Sequence, residues 1–102
     1  MRLIVLFDLP VNSKANRKRY QLFHKFLVKD GYTMMQFSVY SRIADGLDGI
    51  DKHLNRLRAN APAKGNIRVM TVTEKQYASM LFLVGEPSPQ EKKVGAQLQL
   101  WL

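Results

Sequence analysis

The sequence predicts an α+β domain, and three observations carry the prediction. A near-continuous apolar strand opens the chain and is stopped by Pro10. Two later stretches, near 12–30 and 46–60, carry apolar residues at helical spacing. Between and after them lie segments that alternate apolar and polar, the period of a strand. At 102 residues, 46% of them hydrophobic, the chain suits one compact domain with one modest core.

Residues 2 to 9 form the first strand. Leu3, Ile4, Val5, Leu6, Phe7 and Leu9 leave neither face polar, so the strand is expected to be central with both faces covered. Asp8 interrupts this run. A buried carboxylate is costly unless it is paired, so Asp8 either lies in water at the strand's mouth or meets something positive. After Pro10, Asn12 or Ser13 supplies an N-cap oxygen for a helix that runs to about Asp30, with Gly31 suited to the left-handed position beyond it. Tyr20, Phe23, Phe26 and Leu27 form its apolar stripe.

Residues 32 to 44, YTMMQFSVYSRIA, read as one long strand or two. Thirteen extended residues would span about 40 Å, long for this domain, so a break near Gln36 to Ser38 is the alternative. As one strand, Met35, Phe37 and Val39 face one way and Gln36, Ser38 and Tyr40 the other. A second helix spans about 46 to 60 on Leu47, Ile50, Leu54 and Leu57, closed off by Pro62. Residues 64 to 72 turn at Gly65 into another strand with Ile67, Val69 and Thr71 on one face. TEKQYASM, 73 to 80, begins a short helix with the capping-box spacing Thr73…Gln76. LFLV, 81 to 84, reads as a short strand, GEPSPQ, 85 to 90, as a loop, and 92–102 as an amphipathic strand extension with Leu98, Leu100 and Leu102 on one side. With 32–44 counted as two strands, this is the βαββαβ order of a ferredoxin-like domain with an extra C-terminal strand, one domain over 1–102.

Charge narrows the function. Sixteen Lys and Arg against eight Asp and Glu give a net charge of +8, which points to a polyanionic partner, nucleic acid above all. No apolar run approaches the roughly 20 residues of a membrane span, so no membrane role is expected. The absence of cysteine removes disulfides, thiol catalysis and zinc–thiolate sites, and agrees with a cytoplasmic location. His24 and His53, the two histidines, both lie in helices, which argues against a histidine triad or a histidine metal site.

Asp8 is the candidate chemical group. A carboxylate at the carboxyl end of a central strand suits a divalent cation, because magnesium takes oxygen ligands and keeps several waters. The plainer alternative is a strand-end Asp that accepts hydrogen bonds from the following turn. No second acid sits at a matching position, so a shared ion would need two copies of Asp8 from a symmetric dimer. The cluster Lys14, Arg17, Lys18, Arg19 occupies the first turns of the first helix, where cations oppose the helix dipole. Phosphate contact is the use that would compensate; a solvated face is the alternative. His24 reads as a boundary residue and Met34–Met35 as core.

Three stretches together, LIVLFDLP, QFSVY (36–40) and GNIRVMTVTEKQ (65–76), resemble the CRISPR-associated protein two family, the small partners of the CRISPR integrase, and most of all its type II branch. The resemblance runs from Met1 to about Gly85. It implies a ferredoxin-like homodimer in which a C-terminal strand packs on the partner protomer's sheet. It also implies a role in spacer acquisition, bridging integrase dimers and carrying a double-stranded DNA segment. Some family members are described as metal-dependent nucleases on RNA or DNA. On that reading Asp8 is the catalytic and magnesium-binding residue, Arg17 and Arg19 are the helix's basic contacts, and Tyr40 is the aromatic that ends the QxSVx motif and joins the nucleic-acid contacts. One departure is Met34, where some nuclease-active relatives carry Arg; it weighs against independent nuclease activity and not against DNA bridging. The competing expectations are thus a DNA-bridging subunit and a free-standing magnesium-dependent endonuclease. A sequence-neutral RNA-recognition module comes third, because GNIRVMTV lacks the stacking aromatics such a module needs.

Overall fold

The computed structural model describes residues 1–93. Strand β1 (Arg2–Asp8) is followed by α1 (Lys14–Lys29), β2 (Thr33–Gln36), β3 (Val39–Ile43), α2 (Gly46–Asn60), β4 (Asn66–Val72) and α3 (Glu74–Ala78). The sheet order is β2-β3-β1-β4 with every neighbouring pair antiparallel. This mixed architecture is consistent with the ferredoxin-like expectation.

Strand parity divides the sheet into two unlike faces. Leu3, Val5 and Phe7 point to the helices, where Phe23 and Leu27 of α1 and Ile50 and Leu57 of α2 complete the core. Tyr40 sits opposite Val5 and joins this face. Arg2, Ile4, Leu6 and Asp8 point the other way. Among the described residues, that second face is covered only at the Arg2 end. There Arg2 Nε donates to Glu74 at 2.9 Å and its guanidinium lies 3.7 Å from the centre of the Tyr77 ring. This charge-assisted bond, one N–H shared by both carboxylate oxygens, lets an arginine in the strand sit 7% exposed. Thr73 and Gln76 form the anticipated capping box that starts α3.

Residues 32–44 are two strands, which settles the open alternative. The chain turns at Phe37–Ser38, with Ser38 at φ 63°. The turn also corrects the single-strand facing: Phe37 is exposed, while Tyr40 is buried. Leu47 is likewise not part of the α2 stripe. It lies in the first turn and is exposed; the buried residues of α2 are Ile50, His53 and Leu57. His53 takes the stripe position instead, three residues after Ile50 and four before Leu57. In β4, Thr71 is exposed and Val72 is buried beneath α3.

Residues 81–84 do not form a strand; the chain bends at 83–85, they are solvent-facing, and among the described residues they have no sheet neighbour. The free edge of β2 is occupied by other residues. Gln90 accepts from the Met34 amide at 3.0 Å, and the Ser88 hydroxyl donates to the Met34 carbonyl at 2.7 Å. Covering a strand edge in this way removes a pairing template. Residues 89–93 are helical, so the expected extension is not a strand at 92–93. The remainder of that expected strand, 94–102, lies outside the described residues.

Candidate functional site

Asp8 ends β1 on the open face of the sheet. Its register partner is Asn66, and Leu6, Phe7, Asn66 and Arg68 line an open concavity with it. The carboxylate is exposed, and among the described residues it makes no hydrogen bond or ion pair. The strand-mouth answer to the sequence's puzzle therefore holds, and the turn amides do not occupy the carboxylate. Gly65 makes the corner possible. Its φ of +96° suits glycine, and a Cβ there would lie 2.7 Å from the Asp8 carbonyl oxygen. No group of three or more His, Asp or Glu side chains that could hold a metal exists among the described residues. One exposed carboxylate is too few ligands for a protein-built magnesium site, so a site at Asp8 needs oxygens from a second molecule.

The basic cluster is where the sequence placed it. Ser13 caps α1, accepting from the Asn16 amide at 3.1 Å, and the first turn contains no acid. Lys14, Arg17, Lys18 and Arg19 are all exposed. Arg17 Nη1 donates to the Val11 carbonyl at 3.2 Å, which ties the guanidinium to the β1–α1 loop. Arg19 Nη1 donates to Asn16 Oδ1 at 2.8 Å. Both arginines keep unused donors facing solvent, as an anion contact requires.

Tyr40, grouped by resemblance with the nucleic-acid contacts, is 2% exposed. Its ring stacks on Phe7 with centroids 5.7 Å apart, and its hydroxyl is 2.5 Å from His24 Nδ1. The phenol's pKa is raised, by burial first and by Tyr20 second, and its hydroxyl shares one hydrogen bond with the imidazole. The structure thus corrects its place from surface to core. It holds Phe7, the residue next to Asp8, and ties β3 to α1.

A second polar cluster escaped sequence reasoning. Asp30, the residue after α1, receives Arg56 Nη1 at 2.8 Å and His53 Nδ1 at 3.3 Å, and its backbone carbonyl accepts from Arg42. The pKa of His53 is lowered, by burial first and by the Arg42 charge second, against the pull of Asp30. The cluster clamps α1, β3 and α2 together. The position of His53 on the apolar face of α2 was the available signal.

Fold and site together define a small, basic α+β domain with a strand-end carboxylate unpaired among the described residues and a cationic helix start. The family model for CRISPR associated protein Cas2 matches residues 1–80. A protein of Acidovorax ebreus (strain TPSY) named CRISPR-associated endoribonuclease Cas2 is 60% identical over 96 residues, 94% of each chain. A protein of the same name from Streptococcus mutans serotype c (strain ATCC 700610 / UA159) is 46% identical over 86 residues, covering 84% of this chain and 79% of the relative. One from Parvibaculum lavamentivorans (strain DS-1 / DSM 13023 / NCIMB 13966) is 39% identical over 101 residues, 99% of this chain and all of the relative. The chain belongs to the Cas2 family. Among the described residues no helix is long and apolar enough to cross a membrane.

Proposed function

We propose that this protein is the bridging subunit of CRISPR adaptation: a homodimer that binds a DNA duplex and joins copies of the CRISPR integrase during spacer acquisition. The observation that carries this reading is the cationic start of α1. Four exposed cations sit where the helix dipole disfavours them, on a molecule with a net charge of +8. A phosphate backbone offsets that cost. Sedimentation of the protein with its integrase and a duplex tests it. A single complex larger than either pair is expected; separate sedimentation of the three would refute it.

A second reading is a magnesium-dependent endonuclease acting on RNA or DNA phosphodiesters. It is supported by the name endoribonuclease carried by the relatives and by the free carboxylate of Asp8 on the open face. On this reading two protomers face each other so that both Asp8 carboxylates reach one ion. Bound there, magnesium would supply positive charge to the phosphodiester. The chain's own contribution is to hold the carboxylates at the strand ends and to seat phosphates on Arg17 and Arg19. Without metal, the paired carboxylates repel, so Asp8→Asn should leave the dimer at least as stable as wild type while magnesium no longer raises its melting temperature. Nuclease activity, where present, should vanish in the same variant. A metal response that survives Asp8→Asn would place the ion elsewhere.

A further inference from the structure

The tip of the β2–β3 turn carries an aromatic ring that the fold does not use. Phe37 is 84% exposed, while Phe7 and Phe23 in the same chain are buried. The turn that presents it is held on three sides. Gln36 pairs with Val39 across it, the Phe7 amide donates to the Ser38 carbonyl at 3.0 Å, and Tyr20 reaches the Ser38 hydroxyl at 3.5 Å. Ser38 adopts φ 63° to make the turn, although a two-residue hairpin turn ordinarily calls on Asn-Gly or Gly for positive φ. Backbone strain and lost apolar burial thus coincide at one rigid tip, the pattern of a residue kept for contact rather than for packing.

Its surroundings name the contact. The Phe7–Ser38 hydrogen bond places the tip beside the end of β1, next to Asp8. The Tyr20–Ser38 contact places it beside the second turn of α1, and Arg17 lies three residues before Tyr20 on the same helix face. A protein partner would be expected to seat such a ring in a shaped apolar patch. Yet the concavity beside Asp8 and the one lined by Met35, Gln36 and residues 80–84 are formed by the neighbours of Phe37 and not by Phe37 itself. A nucleobase needs no groove. It needs one open aromatic face with a cation near enough to take the adjoining phosphate.

We propose that Phe37 is a stacking platform for an unpaired base, so that single-stranded nucleic acid is held at this end of the sheet with its phosphate toward Arg17. The inference extends the nucleic-acid reading above to a second ligand form, and the test separates the two. Binding of an oligonucleotide of about 12 nucleotides carrying 2-aminopurine is followed by anisotropy and by base fluorescence, beside a duplex of the same sequence. Wild type is expected to quench the 2-aminopurine. Phe37→Ala should abolish the quenching and weaken single-strand binding by about tenfold, with the salt dependence of affinity unchanged, because stacking neutralises no phosphate. Phe37→Trp should restore both, which guards against a folding defect. Duplex affinity should change less than about twofold. Wild type that binds duplex but not the single strand, or a Phe37→Ala variant that binds both like wild type, overturns the stacking role alone. An equal loss on duplex and single strand overturns it as well. Wild type that binds neither overturns the stacking role and the bridging function together.

Discussion

At the residue scale, burial decides which polar groups are spent on the fold and which are left for ligands. Tyr32 is buried beside the Asp30 cluster, and among the described residues its hydroxyl has no hydrogen-bond partner. Burial first and the Asp30 charge second push its pKa up to about 12, against the opposing effect of Arg42. Tyr77 is likewise pushed up to about 12, by burial first and by its hydrogen bond to Glu91 second. In both cases the unfolded chain releases its proton first as pH rises. The stability is therefore complete below pH 10 and is lost between pH 10 and about 12. Tyr32→Phe removes the orphaned hydroxyl. Urea unfolding should show it equal to wild type, or more stable by about 1 kcal/mol, at pH 7. From pH 9 to 11.5 its loss should be smaller than that of wild type but not abolished, since Tyr77 and Tyr40 still titrate. A variant clearly weaker at pH 7 would mean that the hydroxyl has a partner. Asp8 could be read from sequence because an acid in an apolar strand conflicts with its surroundings. Tyr40 and His53 could not, because their roles come from partners on other elements: His24 on α1 for one, Asp30 beyond α1 for the other.

At the scale of elements, local signals were faithful wherever a cap or stop was chemically explicit. Ser13, Gly31, Pro62 and the Thr73–Gln76 box all fall where the chain changes direction or structure. The Phe37–Ser38 turn is only an alternative in the sequence, because no Gly or Pro marks it and the positive φ falls on a serine. Residues 81–84 were misread for a different reason: an apolar run implies burial but not against which surface. Leu81, Leu83 and Val84 are 87%, 94% and 92% exposed, and Met70 on β4 is 49% exposed. The β2 edge is covered by Ser88 and Gln90, and β4 is the other edge strand of the sheet. A run of bare apolar residues close in sequence to an edge strand favours pairing with a second copy. Light scattering at micromolar concentration should report a dimer for wild type and a monomer for Leu81→Asp/Leu83→Asp, with α-helix and sheet signals retained. A monomeric wild type would contradict the proposed homodimer.

At the scale of the molecule, charge and shape together set the function. The helices cover one face of the sheet, α3 covers one end of the other, and the Asp8 end stays open beside the cationic start of α1. Duplex binding at this surface should be electrostatic and nearly blind to sequence. Affinity should fall with salt at a log–log slope of about 0.9 per phosphate neutralised. Arg17→Ala and Arg19→Ala should each flatten the slope by about one contact and weaken all duplexes alike. A change in preference among sequences would instead mean base readout. In the proposed bridging role, the carboxylate chemistry of Asp8 is dispensable. Spacer integration reconstituted from the integrase, a duplex and this protein tests it most directly. Wild type and Asp8→Asn should support integration equally, and Arg17→Ala/Arg19→Ala should lower it at least about tenfold at physiological salt. Loss of integration in a folded, dimeric Asp8→Asn protein, or equal integration with the protein left out, would contradict it.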